Sequence, residues 1–183
     1  MTQQQHPLND AHQWHSMRGI DRLWYALGVG LGTGLAPKAP GTVASFAVLL
    51  LAPLWVGLGL LPALLVVGVM MVVGIPICGK TAQLMGVHDD GRIVWDEFVG
   101  QSMALLPLVA LGLISASMIG MLHVLVAFGF FRLFDIWKPW PIGELDRRVH
   151  GGFGIMLDDV LAGVFAAGAV WGWAAYVWPN LQG

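Results

Sequence analysis

Charge is what this sequence has least of. Only 11% of its 183 residues are Asp, Glu, Lys or Arg, where a soluble domain carries about 25%. Hydrophobic residues make up 57%, so a soluble monomer of this size would lack the polar surface to cover itself. One cysteine, Cys78, lies in an apolar run, which excludes a disulfide framework or a cysteine metal site within one chain. The net charge of −2 gives no basic surface for nucleic acid. The first sixteen residues are rich in Gln and His and lack the apolar centre of a signal peptide. Residues 1–19 read as a polar disordered tail and residues 20–183 as a single membrane-embedded domain.

Where charge is missing, spans are expected. Lys38 and Lys80 bracket 41 uncharged residues, Glu97 and Arg132 bracket 34, and 24 follow Asp159. A spanning helix needs about 20 apolar residues. The first run fits two spans, roughly 42–60 and 62–79, and the third fits one, roughly 160–178. The second fits one long span or two short ones. Residues 23–35 are apolar but short, as an interfacial or re-entrant helix would be. The alternative is a soluble bundle of buried helices, which the 41-residue run is too long for.

Parity separates one span from two in the second run. With two, all nine Lys and Arg lie on one side, which the positive-inside rule makes cytoplasmic. The expected fold is therefore an all-α membrane bundle of about five spans plus a short N-terminal helix, with its C-terminus outside the cytoplasm.

The polar residues that remain fall into four stretches. In residues 30–45, three alternate glycines, two prolines and Gly-Thr interrupt one helix and begin another. Thr42 is placed to cap that helix, and Lys38, Thr42 and Ser45 could hold a phosphate at its N-terminus. A plain re-entrant turn is equally consistent, and the Gly-Lys-Ser/Thr ending of a P-loop is missing. Residues 86–100 place four carboxylates within nine positions, and Asp96 and Glu97 open an apolar helix. That position suits the helix dipole, yet a charge at membrane depth costs about 2.5–3.5 kcal/mol, so a cation is the natural partner. His88, Asp89 and Asp90 could form only a solvated turn.

In residues 131–142, Arg132, Asp135 and Lys138 recur at i, i+3 and i+6, near one helical face. They form either a salt-bridge ladder or a phosphate clamp beside Pro139 and Pro141. In residues 146–163 a basic stretch and a Gly-rich turn lead into a helix through Asp158 and Asp159. The pairs Asp96/Glu97 and Asp158/Asp159 thus read as two similar devices. An all-oxygen set of this kind favours Mg²⁺ over zinc, and a doubly negative phosphomonoester would need such a cation among so many carboxylates. His123, alone in mid-run, reads as a packed helix residue.

At these stretches the sequence resembles the phosphatidylglycerophosphatase A family of bacterial membrane lipid phosphatases. The resemblance rests on Gly-x-Gly-x-x-Pro-x-x-Pro-Gly-Thr at 32–42, Gly-Val-His-Asp at 86–89 and Ile-Val-Trp-Asp-Glu-Phe at 93–98. It continues in Phe-Arg-x-x-Asp-x-Trp-Lys-Pro-Trp-Pro-Ile at 131–142 and His-Gly-Gly-x-Gly-Ile-Met-x-Asp-Asp at 150–159. It implies Mg²⁺-dependent hydrolysis of phosphatidylglycerophosphate to phosphatidylglycerol and phosphate in the bacterial inner membrane, with the site facing the cytoplasm. Carried onto this chain, it makes Asp96, Glu97, Asp158 and Asp159 candidate metal ligands. Asp135 becomes a further ligand or the base that orients water. Arg132, Lys138 and the loop holding Lys38, Thr42 and Ser45 become the phosphate clamp. His150 would protonate the leaving oxygen or order its loop.

Two other classes fit the pattern less well. A head-group transferase of the CDP-alcohol type would need Asp-Gly followed by Ala-Arg and then two Asp four apart; here Asp90-Gly91 precedes Arg92-Ile93 and the acids at 96 and 97 are adjacent. An ion transporter would need polar groups along the membrane depth, whereas these cluster at one face.

Overall fold

The computed structural model describes residues 14–15, 17–87 and 90–181, with backbone alone for 177, 180 and 181. His88, Asp89, Gly183 and most of the N-terminal tail lie outside the described residues. The architecture is all-helical, with no strand among the described residues.

Helix α1 (Gly19–Gly28) leads through a 3-10 turn (Gly30–Leu35) to α2 (Pro40–Leu50) and α3 (Ala52–Leu58). Long α4 (Leu60–Met85), α5 (Trp95–Ala110) and α6 (Met118–Trp137) follow, then short α7 (Ile142–Arg148) and α8 (Gly151–Gly172). A π turn (Trp173–Val177) and α9 (Trp178–Leu181) close the chain. At ten residues, α1 is too short to cross a bilayer. Arg22 in its first turns donates to the carbonyls of Trp14 and His15, at 3.1 and 3.3 Å.

Three helices are long and apolar enough to span: Leu60–Met85, Met118–Trp137 and Gly151–Tyr176. A fourth candidate is α2 with α3, bent by 45°. Their outward faces are greasy, with Leu61, Leu65, Val69 and Val72 on α4 and Met118, Met121 and Leu125 on α6 all exposed. In water such faces would be a liability; against lipid tails they are at no disadvantage. The 34-residue run does divide into two helices, but α5 has only 16 residues, short of the length that defines a span. Its environment explains why it need not be longer. It is the central helix, buried along most of its length from Asp96 to Leu108 and packed by α2, α4, α6 and α8.

Small residues let these helices meet. A Cβ on Gly163 of α8 would lie 2.7 Å from the Gly100 carbonyl oxygen of α5, and one on Gly100 would lie 2.7 Å from that of Asp159. Only bare backbone permits this crossing. It lies within about a turn of Glu97 and Asp159 on their helices.

Two local expectations are corrected. Thr42 does not cap α2. Proline suits a first helical turn, its φ preset and its missing N–H unneeded there. The helix therefore begins at Pro40, behind Ala39 in the left-handed region, with no side-chain cap. Nor is the 151–154 glycine stretch a turn before the helix. α8 begins at Gly151, where a Cβ on Gly152 would strike the Ile75 carbonyl oxygen of α4 at 2.0 Å. These glycines serve close helix packing, so Asp158 and Asp159 lie two turns inside α8, with Asp159 about 12 Å along its axis from Gly151.

Candidate active site

Three acids from three helices converge. Glu97 opens α5, Asp135 lies in the last turn of α6 and Asp159 projects from α8. One carboxylate oxygen from each lies within 4.8 Å of the other two. Arg132, one turn before Asp135, reaches both neighbours: its Nη1 is 2.6 Å from Glu97 Oε2 and 2.8 Å from Asp135 Oδ2. Ser45 of α2 donates to Glu97 Oε2 at 2.7 Å, and Arg132 Nη1 reaches Ser45 Oγ at 3.4 Å.

The charges in this pocket do not balance. Three carboxylates face one guanidinium, and Asp159, 3% exposed, has an Oδ2 with no hydrogen-bond partner. An uncompensated buried carboxylate oxygen is costly. These three oxygens could hold a hard divalent cation, which would offset the excess charge.

A second cluster, two carboxylates around one ammonium, lies beside the first. Lys138, just past the end of α6, bonds Asp158 Oδ2 at 2.6 Å and Asp146 Oδ2 at 3.0 Å. Burial would lower the Lys138 pKa, but the bonds to Asp158 and then Asp146 outweigh it and hold the ammonium above the ordinary lysine range. The ladder expected from residues 132, 135 and 138 is therefore half-formed. Arg132 and Asp135 pair, while Lys138, at φ 44°, leaves the helix and turns to α7 and α8.

The two acidic pairs are thus split. Glu97 and Asp159 enter the three-acid cluster, whereas Asp158 pairs with Lys138. Asp96 is buried, and its Oδ1 accepts from the Glu97 amide at 3.0 Å. Lys38 is exposed ahead of α2, and Thr42 lies half-buried in its first turn. His150 is exposed before α8, its Nδ1 3.2 Å from the Arg148 carbonyl oxygen. Asp90 pairs with Arg92 at 2.7 Å, a bond that holds its carboxyl below the usual range. His123 is buried, its Nδ1 2.8 Å from the Ile119 carbonyl oxygen.

The glycines of 30–34 have a positioning role. A Cβ on Gly34 would lie 2.1 Å from the Arg92 carbonyl oxygen, and the Gly28 carbonyl accepts from Val94 N at 2.8 Å. This stretch therefore fixes the segment that leads into Asp96 and Glu97.

Two residues were missed from the sequence. Asp146, in the basic stretch, is the second partner of Lys138. Gly41 is the other: a Cβ there would lie 1.9 Å from Glu97 Oε1 and 3.5 Å from Arg132 Nη1. Its place in the Pro-Gly-Thr motif was the available signal.

No solved structure matches the chain. Two relatives, each named phosphatidylglycerophosphatase A, come from Escherichia coli and Haemophilus influenzae. The first is 43% identical over 159 residues, covering 85% of this chain and 86% of its own. The second is 42% identical over 143 residues, covering 78% and 83%. A third, from Bacteroides thetaiotaomicron, carries a provisional name as a phosphatidylinositol-3-phosphatase; it is 38% identical over 148 residues, covering 76% and 86%. The family model described as phosphatidylglycerophosphatase A matches residues 26–174, a range that holds both clusters. The chain belongs to the phosphatidylglycerophosphatase A family of phosphoric monoester hydrolases.

Proposed function

We propose that this chain removes the terminal phosphate of phosphatidylglycerophosphate, yielding phosphatidylglycerol and phosphate, with Mg²⁺ at the cytoplasmic face of the bacterial inner membrane. The observation that carries this reading is the three-acid cluster with its unpartnered, buried Asp159 oxygen, in a chain whose relatives bear that enzyme's name.

Glu97, Asp135 and Asp159 would hold the ion. Bound there, Mg²⁺ supplies positive charge to polarise a phosphoryl oxygen and to lower the pKa of water. The chain's own residues do the rest. Arg132 bridges Glu97 and Asp135 and so fixes the spacing of two acids from different helices. Ser45 Oγ donates to Glu97, leaving its other oxygen, Oε1, facing the bare backbone of Gly41. Asp135, at the rim, orients the attacking water or completes the ligand set. Lys38 is the exposed cation for the phosphate, and Lys138 joins it when released from Asp158 and Asp146. His150, exposed one residue ahead of α8, orders its loop through its contact with the Arg148 carbonyl oxygen. Asp96, behind Glu97, and Asp158, beside Lys138, support the neighbours that act.

The membrane reading is five crossings, with α5 short but encased. The starts of α2 and α5, the end of α6 and the third turn of α8 meet at the acid cluster, and Gly79 near the end of α4 abuts Gly152, at the start of α8. This alternation of direction supports the count and a C-terminus outside the cytoplasm. A reporter fused at Gly183 should be inaccessible from the cytoplasm; a cytoplasmic reporter would overturn five crossings.

Phosphate release from phosphatidylglycerophosphate in mixed micelles tests the activity. Release is expected with Mg²⁺, stops with EDTA and returns when Mg²⁺ is restored. Absence of release under every divalent ion would refute the phosphatase reading. Phosphatidylinositol 3-phosphate, given in parallel, shows whether the head group is discriminated.

A further inference from the structure

A cavity of about 490 Å³ opens between the bent α2–α3 pair and α6, within the volume range of ligand pockets. It is lined by apolar side chains, among them Phe46, Leu49, Val56, Met121 and Leu125, with Ser115 the polar exception. It lies on helices with outward faces of lipid-facing composition, so a hydrocarbon is the chemistry it can take.

Both walls of the cavity belong to helices that reach the acid cluster. On α6, Met121, Leu125, Phe128, Arg132 and Asp135 follow at spacings of four, three, four and three, which places them on one helical face. That face runs from the cavity to the acids: Leu125 lies about 10 Å and Met121 about 16 Å along the axis from Arg132. On α2, Gly41, Ser45 and Leu49 recur at intervals of four; the first two touch Glu97 or would, and the third lines the cavity. Phe46 and Phe128 meet edge to face at 6.2 Å, packing α2 against α6 between the cavity and the acids. The bend between α2 and α3 splays α3 away and widens the apolar end.

We infer that this groove seats one acyl chain of the phosphorylated lipid whose phosphate enters the Glu97–Asp135–Asp159 cluster. The inference rests on the lipid phosphatase reading and adds to it a chain-length requirement. Seated there, the chain positions the phosphate, so long-chain lipids are preferred over soluble phosphomonoesters, and the preference is carried by residues far from the acids.

Two measurements test it. In the first, Leu125→Trp, at a half-exposed position whose larger ring fills the groove, is assayed on a long-chain and a short-chain phosphatidylglycerophosphate. KM for the long-chain lipid should rise about tenfold, the equivalent of losing burial of roughly two methylenes, while the short-chain kinetics stay unchanged. Equal changes on both substrates would overturn the inference.

The second needs no turnover. Phosphatidylglycerophosphate with a photoreactive group near the end of one acyl chain is cross-linked to the Asp159→Asn protein in bilayers, beside a phosphatidylcholine probe of the same design. Adducts from the first should concentrate on residues 46–56 and 121–125 and vanish in the added presence of Leu125→Trp. Adducts spread alike for both probes over the outer faces of α4 and α6 would mean bulk bilayer contact only and defeat the assignment. If neither substrate is hydrolysed, the phosphatase reading fails, and the cross-linking pattern still decides the groove.

Discussion

Two ionic clusters lie side by side, and they differ in balance. Around Lys138, two carboxylates share an ammonium, all three side chains being partly exposed. Around Arg132, three carboxylates share one guanidinium, and one oxygen of the most buried acid has no partner. The first has one carboxylate in excess and leaves Asp158 Oδ1 without a partner. The second has the larger deficit of positive charge, two carboxylates in excess, where water is scarcer and electrostatic interactions are strong. Adjacent residues of one helix, Asp158 and Asp159, fall on either side of this divide because neighbouring helical positions point about 100° apart.

The sharpest way to break the comparison is to neutralise each acid of that pair. Asp159→Asn should lower kcat by about 10³-fold or more, as loss of a group aimed at the reacting centre does, and raise the Mg²⁺ concentration needed. Asp158→Asn should keep kcat within about tenfold while costing about 1.5–3 kcal/mol of stability for its charge-assisted bond. Phosphate-release kinetics and thermal unfolding separate the two, and equal inactivation would merge the clusters into one site.

A smaller effect is expected from Gly41→Ala. The added Cβ meets the far end of a flexible Glu97 side chain, which can move at little cost to stability. The carboxylate would nevertheless leave its place, and displacements of about 1 Å can cost about 10²-fold in rate. Lowered kcat with an unchanged melting temperature is the expected signature. A melting temperature that falls in step with activity would make Gly41 a packing residue only.

The smallest effect concerns Asp90 and Arg92, which close the loop before α5 away from both clusters. The folded pKa of Asp90 is depressed by its bonds to Arg92. Its contribution is therefore fully present above the ordinary carboxylate pKa of about 3.9 and is lost as pH falls through the lower folded value. Asp90→Asn should destabilise the protein by at most about 1 kcal/mol near neutral pH, as surface pairs do. The difference from the parent should vanish in acid. A difference that persists there would locate the effect in packing instead.

Much of this molecule was legible in one dimension. Stretches without charge marked where helices of lipid-facing composition would be, because burial of charge in hydrocarbon is expensive whatever the fold. Parity put two spans in the 34-residue run; the run holds two helices, of which only α6 is long and apolar enough to cross. The polar stretches named the residues with chemistry to offer, Glu97, Arg132, Asp135 and Asp159 among them. Helix starts were harder to read, since proline at 40 and glycine at 151–152 suit a helix start and a tight crossing as well as a turn.

The sequence by itself determined the helical, lipid-facing character of the chain and the short inventory of acids and bases available for chemistry, since both follow from composition and spacing along the backbone. Only the tertiary structure decided which members of that inventory act together. Glu97 and Asp159 are 62 positions apart and meet because bare backbone at Gly100 and Gly163 lets α5 and α8 cross closely. Asp158, one residue from Asp159, is turned instead to Lys138 by the helical rotation that no pairwise reading of adjacent acids can resolve.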